Sequence, residues 1–438
     1  GRAGQRDLCN VPAMIAQRRR HGVAVASILI MFLCVFSHTH VHAAKTKKRR
    51  ASAPPIPRGI EGSSPTSVQE RGLVTKHDLS AQNVLQECGR YHHETATKRF
   101  NGTVLAYVTP WNKKGYEVAR QFRGKLTHVA PVWFQLRRAS GKLIITGGQD
   151  VDRKWMEDVR SAAREGATQR VKVVPRLVIE LSGQEQAALL EQEDQAQEVI
   201  MLITNEVRNY GFDGLTLEAW PMWVRGGLLQ PQYGLRPRAV RFVRMLARML
   251  HLQRNELVLV MPPAEAGGSD DYMGVDDFDA LRDPPTAVLD EYNGEPVDHF
   301  SLMTYDASNA MRPGPNAPLP WVEQNVLELT EERDDVDTAT ILMGLNFFGN
   351  DFILPQGGGP ILGHEYLGVL EREQPKRISW IEGASEHVFD YVSNGQQRKV
   401  FFPTLGSIQA RLDLASRLGT GVSIWELGQG LDYFMDLF

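Results

Sequence analysis

The feature that most constrains the fold is an alternation of apolar runs with amphipathic segments over most of the chain. Eight short runs rich in Val, Ile, Leu and aromatic residues begin at Val104, Leu126, Val171, Phe212, Glu256, Val297, Ile341 and Gly421. The segments between them, such as VDRKWMEDVRSAAREG and LGSIQARLDLASRLG, space apolar residues three and four apart, which predicts helices. Apolar strands separated by helices indicate a parallel sheet that is covered on both faces.

The number of these units favours one closed architecture. Eight strand–helix units in roughly 335 residues predict a (β/α)8 TIM barrel of the α/β class, with a doubly wound open sheet as the alternative. Between the seventh and eighth runs lie RISWIE, HVFDYVS and RKVFFPT, separated by turn sequences. They predict a small antiparallel insertion between strands 7 and 8, at about residues 352–404. The predicted barrel domain covers residues 81–438.

The first 80 residues have a different composition. A basic triplet, Arg18-Arg19-Arg20, precedes an apolar run from Gly22 to Phe36, and small residues follow at Ala43 and Ala44. This order is typical of a secretory signal peptide, with an uncleaved membrane anchor as the alternative. We therefore predict that residues 1–43 hold the signal and residues upstream of it, and that 44–80 form a basic, Pro/Ser-rich linker. The mature protein is expected to be secreted and to have no membrane span.

Charge and cysteine content narrow the possible partners. The net formal charge is −3, but the first 50 residues hold ten Lys and Arg against one acid, so the remainder carries −12. Such an acidic body is not expected to bind nucleic acid. Beyond the predicted signal only Cys88 is left, which stays free or pairs with another chain. Asn101 is the first residue of an N-glycosylation triplet. The sequence motifs predict neither a cofactor nor a metal site.

The tryptophans suggest a ligand. Five of the eight fall at or just beyond predicted strand ends: Trp111, Trp133, Trp220, Trp223 and Trp425. The carboxyl ends of barrel strands are where ligands bind, and aromatic rings offer large contact areas to the apolar faces of sugars. The clustering favours a carbohydrate cleft, with core packing as the alternative for each ring.

Three motifs point to a known family. FDGLTLEAW on the fourth run, LMTYD on the sixth and GVSIW on the eighth resemble landmarks of glycoside hydrolase family 18, the chitinases, whose fourth-strand pattern is DGxDxDxE. The resemblance extends from about Cys88 to Phe438. It implies a barrel that binds N-acetylglucosamine-type oligosaccharides. In that family the substrate's acetamido oxygen attacks the anomeric carbon while a glutamic acid protonates the leaving oxygen.

The fourth-strand motif departs from the pattern at the catalytic positions. Thr216 and Glu218 replace two aspartates, and Trp220 stands where the proton donor belongs. Strand alternation predicts that all three face the barrel interior, with Glu218 about 6.6 Å deeper than the donor position. General-acid catalysis needs the donor within about 3 Å of the leaving oxygen. We therefore predict no catalytic residue and a catalytically dead family member.

The residues that are retained predict binding. The resemblance implies that Tyr305 and Asp306 hold the acetamido group and that Trp425 forms the floor of the cleft. Six further substrate-binding candidates lie near the same strand ends: Tyr107, Trp133, Glu218, Trp220, Met303 and Asn346. Glu218 is either a binding residue or a structural interior carboxylate, and Trp220 either stacks on a sugar or fills space.

The sequence is compatible with three functions. The first is a chitinase-like lectin that binds amino-sugar oligosaccharides without hydrolysing them. For this lectin the resemblance implies passage through the lysosome or late endosome and a scavenger-receptor partner of the stabilin type. The second is a weak glycosidase that uses a displaced carboxylate, Glu218 or Glu180. The third is a protein-interaction scaffold with a vestigial groove.

Overall fold

The centre of the molecule is a ring of eight parallel strands. The computed structural model describes residues 57–163, 170–264, 274–282, 294–330, 333 and 335–438. In chain order the ring strands are β1 (Val104–Val108), β2 (His128–Pro131 and Phe134–Ala139), β3 (Lys172–Val173 and Arg176–Ile179), β4 (Gly214–Glu218), β5 (Glu256–Met261), β6 (His299–Leu302), β7 (Ile341–Asn346) and β8 (Gly421–Trp425). Each strand begins within one of the eight predicted apolar runs.

The ring is closed. Each strand from β1 to β7 pairs in parallel with the next one, and β8 pairs with β1 through Val422 opposite Val104 and Ile424 opposite Ala106. Pro175 interrupts β3, because proline has no amide proton to donate to a neighbouring strand. The predicted (β/α)8 barrel is therefore confirmed, and the open-sheet alternative is not the fold.

Side chains alternate between two apolar layers. A small buried cluster that includes Leu105, Ala130, Val174 and Val258 fills the inside of the barrel. The residues between them in sequence face outward, and they belong to a much larger cluster shared with the helices. This two-residue period follows from the pleat of a strand, and it decides which side chains can reach the barrel mouth.

Helices cover the outside of the barrel. The main ones are Lys113–Gln121, Arg153–Arg160, Gly183–Glu191, Glu193–Tyr210, Arg236–His251, Val275–Arg282, Leu319–Thr330 and Leu405–Leu418. The helix Gly183–Glu191 begins with a capping box, in which Ser182 and Glu185 each accept a hydrogen bond from the other's backbone amide. Across the residues described, no helix is both long and apolar enough to cross a membrane.

An antiparallel sheet of five strands is inserted between β7 and β8. Its strands, in spatial order, are Gly358–Ile361, Gly349–Ile353, Gln396–Phe401, Glu386–Ser393 and Ser379–Ile381. A helix, Gly363–Glu373, lies within the same stretch of chain. The predicted antiparallel insertion is confirmed, and its first strand begins three residues before the expected position 352.

The segment before the barrel is folded in part. Strand Gly62–Ser64 pairs in parallel with Arg90–His92, and helix Ala81–Glu87 lies between them in sequence. The predicted linker at 44–80 thus overlaps folded structure at its carboxyl-terminal end. The predicted signal segment, 1–43, lies outside the described residues.

Cys88 and Asn101, the two residues of this region that the sequence analysis singles out, differ in exposure. Cys88 is buried, and that burial raises the pKa of its thiol to about 11, so the thiol is not accessible for pairing with another chain. Asn101 is exposed just before β1. Its glycosylation stays a prediction.

Candidate functional site

Trp425 and Tyr107 form an aromatic pair at the carboxyl ends of β8 and β1. Their ring centroids are 5.2 Å apart, and Trp425 is only partly buried. The hydroxyl of Tyr107 donates to Oγ of Ser301, which donates in turn to Oγ of Ser423, both at 3.0 Å. This chain of hydrogen bonds across the barrel fixes the Tyr107 ring. Trp425 therefore packs against a fixed ring and keeps part of its surface exposed at the carboxyl end of β8.

Tyr305 and Asp306 follow β6 on the same rim. The ring of Tyr305 meets Phe348 edge to face, with centroids 6.1 Å apart. Asp306 adopts a left-handed backbone conformation, and its side chain reaches solvent. The surrounding protein nevertheless desolvates this carboxyl and raises its pKa to about 6, against an opposing effect of Arg225. Asp306 is therefore an accessible carboxylate that gains a proton in mildly acidic solution.

The inserted sheet holds Asp306 in place through a relay of hydrogen bonds. The backbone amide of Asp306 donates to Oδ1 of Asn316 at 2.7 Å. The amides of Asn316 and Ala317 donate to the buried carboxylate of Glu386 at 2.9 and 2.6 Å. Arg411 donates to the same carboxylate at 3.1 Å. The loop after β6 is thus attached to the insertion, which explains how one exposed carboxylate keeps a fixed position.

Glu218 faces the barrel interior, as the strand alternation predicts, but it is paired. Its Oε2 accepts from Nε of Arg176 at 2.5 Å, and the side chains are 20% and 15% exposed. Burial lowers the pKa of Arg176, but the attraction of Glu218 outweighs it and the net shift is upward. The carboxylate of Glu218 is therefore already engaged as a hydrogen-bond acceptor of Arg176.

Trp220 does not reach the cleft, so its predicted binding role is wrong for this structure. β4 ends at Glu218, and Trp220 opens the helix Trp220–Arg225. The change from strand to helix ends the alternation that would have directed the ring inward. The ring is completely buried in the outer apolar cluster, with its centroid 6.1 Å from that of Trp223.

Trp133 is likewise a core residue and not a binding residue. It is fully buried in the outer cluster, and its indole nitrogen donates to the hydroxyl of Tyr116 at 2.7 Å. The break in β2 between Pro131 and Phe134 turns the ring away from the interior face. Of the five tryptophans expected at the rim, only Trp111 and Trp425 keep exposed surface, because Trp223 is also fully buried.

Met303 and Asn346 occupy intermediate positions. Met303 is partly buried against the inner cluster, together with Trp425. Asn346 is buried, and its amide donates to the carbonyl oxygen of Phe348 at 2.8 Å. Asn346 therefore positions the segment that carries Phe348 and has little free surface of its own. The structure brings Tyr107, Met303 and Trp425 together on one side of the barrel mouth.

Asp213, the first residue of the fourth-strand motif, acts at the opposite end of β4. Its carboxylate is paired with Arg160 at 2.6 Å and with Arg170, and it accepts from the amide of Val173 at 2.8 Å. These contacts join the start of β4 to β3. The part of the motif that matches the family is thus structural.

Glu426 is a site residue that the motifs do not indicate. It is completely buried, accepts from the amide of Asn112 at 2.7 Å and from the backbone of Gly428 at 3.0 Å, and burial raises its pKa to about 7. The bond to Asn112 ties the end of β8 to the loop after β1. It places the 65% exposed Trp111 next to the segment that carries Trp425.

The fold and the rim together define a (β/α)8-barrel protein that carries the partly exposed ring of Trp425 and the exposed carboxylate of Asp306 at the carboxyl ends of its strands. The family model of the glycosyl hydrolases of family 18 matches residues 103–430. The chain belongs to this family.

Solved structures agree on the fold. A chitinase from Chromobacterium violaceum superposes with a TM-score of 0.61 at 19% identity, over 77% of this chain and 98% of that one. A substituted family 18 chitinase from Cycas revoluta, in complex with (GlcNAc)4, gives 0.58 at 15% identity over 76% and 97%. YKL-39, solved in the presence of chitooligosaccharides, gives 0.57 at 15% identity over 76% and 98%. At such identities the likeness shows the shared fold alone.

Proposed function

We propose that this protein is a chitinase-like lectin that binds amino-sugar oligosaccharides at the barrel mouth without hydrolysing them. The observation that carries the proposal is the state of the family's proton-donor position. That position is occupied by Trp220, which lies in the outer core and offers no ionisable group. Trp425, which packs against the buried Tyr107, and the exposed Asp306 remain at the rim as binding groups.

The carboxylates that could replace the missing acid are already engaged. Glu218 is bound to Arg176, and Glu180 accepts from Nε of Arg137 at 2.7 Å. A general acid must carry a proton and lie within about 3 Å of the leaving oxygen. Each carboxylate would have to leave its guanidinium partner before it could approach a leaving oxygen. These contacts favour the lectin over the weak glycosidase.

The expected ligand is a short oligosaccharide of the N-acetylglucosamine type. The indole ring of Trp425, which packs against Tyr107, suits the apolar face of a sugar. The carboxylate of Asp306 can accept a hydrogen bond from an amide or hydroxyl group of the ligand. Two structural neighbours, one solved in complex with (GlcNAc)4 and one in the presence of chitooligosaccharides, support the same ligand class.

The cellular setting is part of the proposal. The signal-like segment at 22–36 and the sequon at Asn101 support a secreted glycoprotein. Routing to the lysosome or late endosome and capture by a scavenger receptor of the stabilin type rest on the sequence resemblance. Secretion is tested by amino-terminal sequencing of the protein from the culture medium of expressing cells, where a start at residue 44 or 45 is expected.

Removal of the Trp425 indole tests the binding site. A tryptophan-fluorescence titration of the protein with chitotetraose should give a saturable change, because a sugar stacked on an indole alters its surroundings. In Trp425→Ala we expect that change to disappear and the affinity, measured by calorimetric titration, to fall by at least tenfold. Trp425→Phe should keep part of the affinity, because it retains an aromatic ring.

A matched control separates binding from a general loss of fluorescence. Trp321 lies on the outer helix Leu319–Thr330, so Trp321→Phe removes one fluorophore away from the barrel interior. This variant should bind as the unchanged protein does. A flat titration of correctly folded protein would rule out chitin-type binding and leave the scaffold function as the better account.

Ligand affinity should depend on pH through Asp306. Its carboxyl has a pKa of about 6, so the ionised acceptor predominates above that value and is lost below it. If only the ionised form binds, affinity falls by about tenfold between pH 7 and pH 5. Asp306→Asn should remove this dependence, which calorimetric titration at both pH values measures. An equally steep profile in the variant would assign the effect to another group.

A further inference from the structure

The inside of the barrel is polar at the amino-terminal ends of its strands, where branched apolar side chains are usual. His128, Lys172, Glu256 and His299 are the first residues of β2, β3, β5 and β6. Each stands two positions before another interior-facing residue, and so points inward as well. We call this group the basal cluster. It lies at the opposite end of the strands from the proposed sugar site and is independent of it.

Three members of the basal cluster are metal-ligating side chains close to one another. His128, Glu256 and His299 each offer one ligand atom, and these atoms all lie within 4.8 Å of each other. Nε2 of His128 is 2.9 Å from Oε2 of Glu256, and the two imidazole rings meet edge to face with centroids 5.3 Å apart. Ligand atoms around one zinc ion are about 3.4 Å apart, so small side-chain rotations suffice to close the set.

His299 carries the observation that packing alone leaves unexplained. Its Nδ1 is buried, and it has no hydrogen-bond partner within the part of the chain that the structure describes. A buried nitrogen without a partner is destabilising, and native proteins keep such groups for a reason. Ligation of a metal ion satisfies the imidazole and uses the two neighbouring side chains as further ligands.

The surroundings orient the other two ligands. Nδ1 of His128 is 2.9 Å from Oγ1 of Thr127, which leaves Nε2 directed into the cluster. Lys172 binds Oε1 of Glu256, so Oε2 remains on the side of His128. The Lys172 side chain is 43% exposed and can move its ammonium group into solvent. The same exposure gives an ion a route into the cluster.

We propose that His128, Glu256 and His299 form a binding site for a divalent first-row transition metal ion, with Zn²⁺ as the preferred one. Two imidazoles and one carboxylate are a ligand set that zinc uses in proteins, with a fourth position for water. The bound ion joins β2 to β5 and β6 across the barrel. Its expected effect is on stability, with sugar binding unchanged.

Metal titration of the purified, chelator-treated protein tests the site. Calorimetry with ZnCl2 should show one equivalent bound, and the melting temperature should rise with a saturable dependence on zinc. His128→Gln and His299→Gln should each weaken binding by at least tenfold. The control is His364→Gln, since His364 is an exposed histidine on the helix Gly363–Glu373. Lys172→Met should tighten binding several-fold, because it removes a competing cation.

The outcome that overturns the site is zinc binding that is missing, or that survives unchanged in both basal histidine variants. If those variants fail to fold, the unchanged protein decides through Co²⁺. An intense visible absorption, typical of four-coordinate cobalt with nitrogen ligands, supports the site. The pale spectrum of the hydrated ion contradicts it.

Discussion

We expect Trp220→Glu to lower the free energy of unfolding by about 4 kcal/mol or more and to produce no chitinase activity. The ring is completely buried in the outer core, so the substitution removes a large apolar side chain and places a carboxyl group in an apolar space. The new carboxyl would also point away from the cleft. Urea denaturation followed by circular dichroism measures the stability, and a fluorogenic chitobioside measures the activity.

Two further variants sharpen this prediction. Trp220→Phe keeps an aromatic ring in the same space and should cost less than half as much stability. The double variant T216D/W220E restores two of the three positions at which the fourth-strand motif departs from the family pattern, and we expect it to remain inactive. Thr216 is itself buried and donates to the carbonyl of Val174 at 2.9 Å, so an aspartate there adds to the cost. Turnover by a stable double variant would show that residue 220 can reach the cleft.

Arg176→Met is expected to lower the free energy of unfolding by about 2–3 kcal/mol, because it leaves the inward carboxylate of Glu218 without its partner. Each side chain of the pair is about four-fifths buried. Because this burial is partial, the expected loss of stability is smaller than for a fully buried pair. Urea denaturation is again the measurement.

A double-mutant cycle isolates the pair from other effects of the substitution. R176M/E218Q removes both charges and should be more stable than the sum of the two single changes predicts. Arg137→Met serves as the control, because Arg137 pairs with Glu180 at a side chain that is 49% exposed, where little stability is at stake. Additive single effects would mean that the contact between Arg176 and Glu218 contributes nothing.

The barrel could be predicted because its strands are buried on both faces. A strand such as β5, ELVLVM, has an apolar run that water cannot reach on either side, and its length separates it from the helices around it. The insertion was predictable from composition and turns. Its strands are short runs rich in Val, Phe and Tyr, such as EHVFDYVS, and turn sequences separate them. Local sequence patterns of this kind were therefore sufficient to predict the barrel and its insertion.

The candidate site was only partly predictable, because the inward and outward alternation of side chains holds only while a strand continues. At Trp220 the chain changes to a helix, and at Trp133 the strand is interrupted, so both rings turn into the core. Trp425 and Tyr107 lie within unbroken strands, and their inward positions follow from the period of two. The sequence shows where a strand starts more clearly than where it ends.

Contacts between distant strands could not be inferred from local patterns. Arg176 sits in an otherwise apolar run, and its partner Glu218 is 42 residues further on. The ligands of the basal cluster are spread over three strands from His128 to His299, with no motif spacing. Such contacts can be identified only in the closed barrel, where the interior side chains of distant strands meet.

The pairing of β8 with β1 also sets the order in which the molecule can be completed during synthesis. Val104 meets Val422 more than 300 residues later, so the first strand keeps an unpaired apolar edge until the last strand has been made. Open edges of this kind invite association with other chains. Trp425 stands on that final strand, and its contact with Tyr107 forms when the ring shuts. Sugar binding at this pair would therefore require a complete barrel. A chain that lacks β8 is expected not to bind the sugar.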